Sequence, residues 1–379
     1  MHYCRIVAVS LAMAIAGITT TTATAPAAPD RCAFEVWGAQ TLGGIQAAFF
    51  LPDRGLYAEQ VNDAKTPRPS WLWDASIQLG ALTAAARLEP DTYLPAVKAY
   101  AAALRSYRTE NHGRPGLDVN PPPKSPDRYY DDNAWIVLAL LEAYDLTHDS
   151  QTLALALDAY HFTMSGEDNA LGGGIYWHED NKRSKNACSC GPASLDALRL
   201  FEVTHDPAYL QTARRLYEWM RAHLQDSDGL IFDSIGVADG RISRAKYTYN
   251  SATLIEAGSL LYQITRDHKY LDEAERVAQA AEKRWIRPQD GLIPGAGKLA
   301  VKLVEALLVL RQTDHDDHWL AVVDRCLVSL GEHRDANGWY PMNWQASPPP
   351  ATAPVRLIDQ SAVARAYWLA ASVHAAMVR

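Results

Sequence analysis

Asp131 and Asp132 are consecutive acids, and they are the residues of this chain best suited to breaking a bond. A single Asp at such a place has a simple use, because it opens a helix by accepting hydrogen bonds from the free amides of the first turn. One carboxylate is enough for that. Equivalent helix starts, read at Trp73-Asp74, Tyr249-Asn250 and Asp359-Gln360, carry one short polar residue rather than two acids. The surplus carboxylate adds repulsion in a partly enclosed place and drives the two pKa values apart. A pair with one member ionised and the other protonated is the apparatus of glycoside hydrolysis. The helix N-terminus favours the anion and so suits a nucleophile. Neighbours on one turn fit the roughly 5–5.5 Å carboxyl separation of retaining enzymes better than the roughly 6.5–9.5 Å of inverting ones, so retention is expected.

Aromatic residues gather near the same kind of position. Trp71 and Trp73, Tyr129 and Tyr130, the stretch Gly172-Gly173-Gly174-Ile175-Tyr176-Trp177, and Tyr247 and Tyr249 all precede or open apolar helices. Singly, each ring serves as well in a core. As a group on one set of loops, they suit a cleft in which the apolar faces of sugar rings pack on aromatic planes.

These residues need elements to hold them, and the chain alternates two sorts of helix. One sort is amphipathic: Tyr209, Leu210, Ala213, Leu216, Tyr217, Met220 and Leu224 form a stripe opposite Arg214, Arg215, Glu218 and Arg221, so one face stays wet. The other is apolar nearly all round, as from Trp135 to Leu146, and must be covered on most sides. Outer helices are expected near 33–50, 91–107, 149–165, 206–223, 267–285 and 316–332, and inner helices near 70–87, 131–147, 190–204, 249–265, 298–312 and 357–376. Thr147-His148-Asp149, Thr204-His205-Asp206 and Thr265-Arg266-Asp267 mark three of the inner-to-outer junctions. A fourth, Thr313 through Asp316, carries one extra residue. In each, Asp stands where an N-cap belongs. Six pairs at a spacing of about 60 residues predict an all-α, (α/α)6 barrel of six inner and six outer helices in one domain, residues 33–379, because closure removes the ends of an open stack. Pro121-Pro122-Pro123 and Pro348-Pro349-Pro350 read as barrel loops.

Composition narrows the partners. The 379 residues are 48% hydrophobic and 21% charged with a net charge of −8, which offers no long-range attraction to nucleic acid or to an anionic membrane surface. A neutral polymer is a compatible partner, and a monomer is expected. Arg5 followed by the apolar run Ile6 to Ile18 reads as an export signal ending near residue 25, so the chain is expected to be secreted or periplasmic. Cys32, Cys188, Cys190 and Cys326 are too few for a disulfide framework and lack zinc-like spacing. His315 and His318 fall in an acidic, solvated segment, and no glycine-rich phosphate loop is present, so neither metal nor cofactor is expected.

Arg128-Tyr129-Tyr130-Asp131-Asp132-Asn133-Ala134-Trp135 resembles the signature of glycoside hydrolase family 76. Gly172 to Trp177, Lys185-Asn186-Ala187 and Lys246-Tyr247-Thr248-Tyr249-Asn250 are similar to further segments of that family. The resemblance runs from about residue 35 to the end of the chain. It implies an (α/α)6 barrel and endo-α-1,6-mannanase activity on the mannan backbone of fungal cell-wall glycoproteins. It also implies Asp131 as nucleophile and Asp132 as general acid/base. Tyr130, Trp177, Tyr249, Asn250 and Trp73 are the expected sugar contacts, with Lys185 and Asn186 equally readable as exposed loop. Asp74 and Asp359 either face the cleft or cap their helices. Cys190 stands where relatives are expected to carry Asn. The competing readings are a mannan transglycosylase, an (α/α)6 enzyme for another α-glycan, and a non-catalytic mannan-binding protein.

Overall fold

The Thr-His-Asp junctions show how the chain turns from inner to outer helix. Thr147 Oγ1 donates to the Ala143 carbonyl and accepts the Asp149 N–H, while the Asp149 carboxylate accepts the amides of Gln151 and Thr152. His148 between them is left-handed, at φ 51°. Thr204-His205-Asp206 and Thr265-Arg266-Asp267 repeat the arrangement. At the fourth junction the extra residue changes one partner. Asp314, not a threonine, accepts the Asp316 N–H, and its other oxygen takes the Trp319 indole. The expected caps are therefore the observed ones.

The computed structural model describes residues 31–62, 67–123, 126–348, 350 and 352–378, and the expected export signal lies outside them. Among the described residues there are twelve α-helices: α1 (Arg31–Phe49), α2 (Leu72–Ala86), α3 (Pro90–Ala103), α4 (Tyr130–Thr147), α5 (Ser150–Met164), α6 (Ala187–Thr204), α7 (Pro207–Leu224), α8 (Thr248–Thr265), α9 (His268–Trp285), α10 (Gly297–Asp314), α11 (Asp317–Gly331) and α12 (Leu357–Val378). Inner helices α2, α4, α6, α8, α10 and α12 pack each on the next, and α12 packs back on α2. Outer helices α1, α3, α5, α7, α9 and α11 lie on α12, α2, α4, α6, α8 and α10 respectively. The result is an (α/α)6 barrel. The near-continuous burial of α4 and the wet face of α7 follow from their residue patterns, because only an inner helix has neighbours on most sides. None of the helices among the described residues is long and apolar enough to cross a membrane.

The loops differ from expectation. The strands Tyr176–His178, Asn181–Asn186, Phe232–Gly236 and Ile242–Lys246 form a four-stranded antiparallel sheet in chain order, and Arg108–Asn111 pairs with Arg114–Leu117. Strands of three to six residues rich in Lys, Arg, Asn and Ser lack a run of alternating apolar residues long enough to be read. Both features belong to connections from an outer helix to the next inner one, which is where the acid pair sits.

Candidate active site

The six inner helices, aligned by their first residues, place Trp73, Asp131, Cys188, Tyr249, Lys298 and Ile358 second, and Asp74, Asp132, Ser189, Asn250, Leu299 and Asp359 third. Asp131-Asp132 remains the one pair with acids at both positions. This register corrects one expected equivalence: the counterpart on α12 is Ile358-Asp359, and Gln360 instead clamps the backbone of Tyr340 through two hydrogen bonds. The capping role is corrected as well. Tyr129 holds the N-cap position of α4 without a side-chain cap, and both acids lie inside the first turn.

The pair is asymmetric. Asp131 is buried, and its Oδ2 accepts the Trp177 indole N–H at 3.0 Å. Burial raises its carboxyl to about 6, opposed first by the Trp177 hydrogen bond and then by the nearby Cys188 thiol and first-turn amides, while Oδ1 has no hydrogen-bond partner in the protein. Asp132 has a different balance. Burial, then the charges of Asp131 and Asp74, push it well above the usual carboxylate range, with Lys298 opposing. Donors favour an anion and a like charge favours an acid, so of the two Asp131 is the better disposed to hold a negative charge and Asp132 to hold a proton.

Trp177 is 43% exposed, and its ring lies edge-on to Tyr129 at 4.9 Å. Across the mouth, Trp73 and Trp135 stack at 6.3 Å, and Tyr249 lies 6.0 Å from the first and 6.2 Å from the second. Lys298 stands over Trp73 at 4.4 Å, and one turn along α10 Lys302 stands over Trp135 at 4.9 Å. The rings form a floor between the mouth and the deeper barrel. Buried at the rim, Asp74 Oδ2, Asp359 Oδ1 and both amide atoms of Asn250 have no hydrogen-bond partner in the protein. Buried polar groups left in that condition are costly, so these atoms suit a ligand that brings its own hydrogen-bonding groups.

Three of the expected contacts are buried. The Tyr130 ring stacks on Phe162 at 4.9 Å and is 2% exposed. One residue of helix is about 100°, so the residue before Asp131 turns towards the outer ring. Lys185 is fully buried, with Nζ bonded to Asp168 Oδ1 at 2.7 Å and to the Gly173 carbonyl at 2.6 Å. It holds the glycine-rich turn and pairs across the sheet with Tyr176, next to Trp177. Asn186 precedes α6 and accepts from Ser184 Oγ. Neither residue is exposed loop. In the same turn Gly174 has φ +78°, and a Cβ there would meet the Trp219 ring at 2.5 Å. Cys190, the expected departure, is a buried thiol whose sulfur accepts the Ile175 N–H.

Other residues of the site were not anticipated. Arg128 is buried, binds both oxygens of Glu179 and donates to the carbonyls of Asn111 and Arg114. It ties the hairpin to the sheet immediately before the acids. Cys188 and Asp233 border Asp131 and Tyr249, and Lys298 faces Asp132. The inner-helix register would have found Cys188 and Lys298, since both occupy the second position. His315 is a left-handed helix terminus and His318 Nε2 lies 2.8 Å from Glu282. No cluster of three or more His, Cys, Asp or Glu side chains arranged for a metal occurs among the described residues.

Comparison with known proteins agrees with this arrangement. The family described as glycosyl hydrolase family 76 matches residues 48–295. A family 76 α-mannanase of Bacteroides thetaiotaomicron, BT2949, is 28% identical with a TM-score of 0.86, covering 91% of this chain and 97% of its own. An inactive double Asp-to-Asn variant of the α-1,6-mannanase GH76A of Salegentibacter sp. HEL1_6, bound to α-1,6-mannotriose, is 25% identical with a TM-score of 0.77, covering 90% of this chain and 99% of its own. The mannan endo-1,6-alpha-mannosidase DCW1 of Saccharomyces cerevisiae is 26% identical over 128 residues, 31% of this chain and 28% of its own. The meiotically up-regulated gene 191 protein of Schizosaccharomyces pombe is 30% identical over 165 residues, 40% of this chain and 37% of its own. The matches thus span about a third of those two yeast proteins. The family match contains the acid pair, the glycine-rich turn, the sheet and the floor residues Trp73, Trp135 and Tyr249, and on this ground the chain belongs to glycosyl hydrolase family 76.

Proposed function

We propose that the protein is a retaining endo-α-1,6-mannanase that cleaves the mannan backbone through a covalent mannosyl-enzyme, with Asp131 as nucleophile and Asp132 as general acid/base. The observation that carries this reading is the unequal treatment of two adjacent carboxylates: the Trp177 indole donates to Asp131, while Asp132 faces like charges. The α-1,6-mannotriose bound by the Salegentibacter relative supports the choice of sugar and linkage.

In the first step Asp131 attacks the anomeric carbon, the bond from that carbon to the departing 6-oxygen breaks, and Asp132 gives its proton to that oxygen. Asp132, now anionic, then takes a proton from water as the water attacks the anomeric carbon and releases Asp131. Two inversions leave the α configuration. Trp177, Tyr249 and Trp73 offer apolar faces for mannose rings, and Asn250 offers hydrogen bonds. Tyr130, Lys185 and Asn186 act indirectly, by fixing the wall and sheet. Mannan oligosaccharide or polysaccharide is the proposed partner, without cofactor, and the proposed setting is outside the cytoplasm.

Incubation with unbranched α-1,6-mannan followed by sizing of the fragments tests the reading. The enzyme should release mid-length α-1,6-mannooligosaccharides at early times. Asp131→Ala should release none while still binding mannan and unfolding at nearly the same temperature. Products longer than the input would count for transglycosylation, and binding without new reducing ends in the unmodified enzyme would overturn the catalytic assignment.

A further inference from the structure

The α10–α12–α2 side of the barrel mouth is crowded with charge that a neutral sugar does not require. Asp74 on α2 is 3% exposed, and its Oδ2 has no partner in the protein. It occupies the same third position on α2 that Asp132 occupies on the adjoining α4. Lys298 on α10 is fixed over the Trp73 ring at 4.4 Å and faces Asp74, Asp359 and Asp132, together with Arg356 just before α12. Asp132 also meets Asp131 from its own helix and Asp127 from the preceding loop. Asp74 in turn lies within the electrostatic reach of Arg356, Lys298, Glu59 and Asp359.

We propose that Asp74 and Lys298 are positioning residues that act as an opposed pair on Asp132, the carboxylate favouring its acid form and the ammonium favouring its anion. This rests on Asp132 being the proton donor. Asp74 itself is raised to about 7, first by burial. Its negative charge therefore develops in the pH range where a proton donor is most easily lost, and it resists that loss. Lys298 keeps the opposition within bounds, so that Asp132 still gives up its proton when the 6-oxygen departs. A bound mannose chain that excludes water strengthens both effects.

The test is the pH profile of kcat/KM on α-1,6-mannan. The alkaline limb reports loss of the Asp132 proton. Asp74→Asn should move that limb to lower pH by roughly half to one unit, and Lys298→Met should move it to higher pH by a similar amount. Lys298→Arg should return it towards the unmodified position. Movement of both variants in the same direction, or of neither while their unfolding temperatures hold, would overturn the proposal; should Asp74→Asn fail to fold, the direction of the Lys298→Met shift decides alone. A separate arm protects the interpretation. Asp132→Asn should lose far more activity on mannan than on an α-1,6-mannobioside carrying an activated aryl leaving group, which departs without a proton. Equal losses on both substrates would mean that Asp132 is not the proton donor, whereas unequal losses with unmoved limbs would refute the tuning pair only.

Discussion

The Trp177 indole on Asp131 is a single hydrogen bond with a readable consequence. Trp177→Phe keeps an aromatic face and removes the donor. A hydrogen bond to a charged group is worth about 1.5–3 kcal/mol, so kcat should fall roughly ten- to a hundredfold. The variant should also move the acid limb of kcat/KM to higher pH. That limb reports protonation of Asp131, expected near about 6 in the unmodified enzyme because burial outweighs its donors, and loss of a donor raises it further. An unmoved limb with the same fall in rate would mean that the indole serves only to stack sugar. The acid pair was legible in sequence because one carboxylate exceeds what a helix start needs. Cys188, Asp233 and Lys298 were not, since their meaning depends on which helices face one another across the mouth. Tyr130 was misplaced for a related reason: adjacency to Asp131 in the chain means a rotation away from it on a helix.

Elements are held at their ends by the Thr-x-Asp junctions, which were legible because Thr and Asp recur two residues apart before amphipathic stripes. Asp149→Ala removes the acceptor for the Gln151 and Thr152 amides and should cost about 1 kcal/mol. His205→Gly should act oppositely. A left-handed φ of 58° strains a side chain by roughly 1–2 kcal/mol, and glycine relieves it at some expense in unfolded-state freedom. Chemical denaturation of the two variants should show a lowered midpoint for the first and a raised one for the second. Shifts of the same sign would contradict the junction geometry. The sheet that carries Trp177 escaped notice because its register is set by Arg128, Lys185 and the Gly173–Gly174 turn, long-range contacts rather than an alternating pattern.

At the scale of the whole molecule the barrel has two unlike ends. Beyond the aromatic floor lies a cavity of about 700 Å³ lined by Lys302, Glu142, Glu305, Arg365, Arg199 and Glu256, among others. Arg365 bridges Glu142 and Glu305 there, from α12 to α4 and α10, and Gly80 leaves room for it. Arg365→Met leaves Glu142 with the Thr83 hydroxyl and Glu305 with the Lys302 ammonium as their remaining close partners, and should cost about 3 kcal/mol at neutral pH. Burial alone would raise Glu142, but Arg365 brings it down to about 2. Its contribution is therefore present above the ordinary glutamate range and fades as pH falls towards about 2, so the variant's deficit in denaturation should shrink in acid. A deficit equal at pH 7 and in acid would contradict the pairing. The six-fold alternation predicted closure of the ring; the charged lower cavity was hidden, because Glu142, Glu305 and Arg365 lie on three different inner helices and nothing in their spacing shows that they meet. The whole assembly makes one stereochemical choice, and proton NMR of the first reducing ends released from α-1,6-mannan reads it directly. α-Mannose ends should appear first, with β-anomer following by mutarotation; β-anomer appearing first would rule out attack by Asp131.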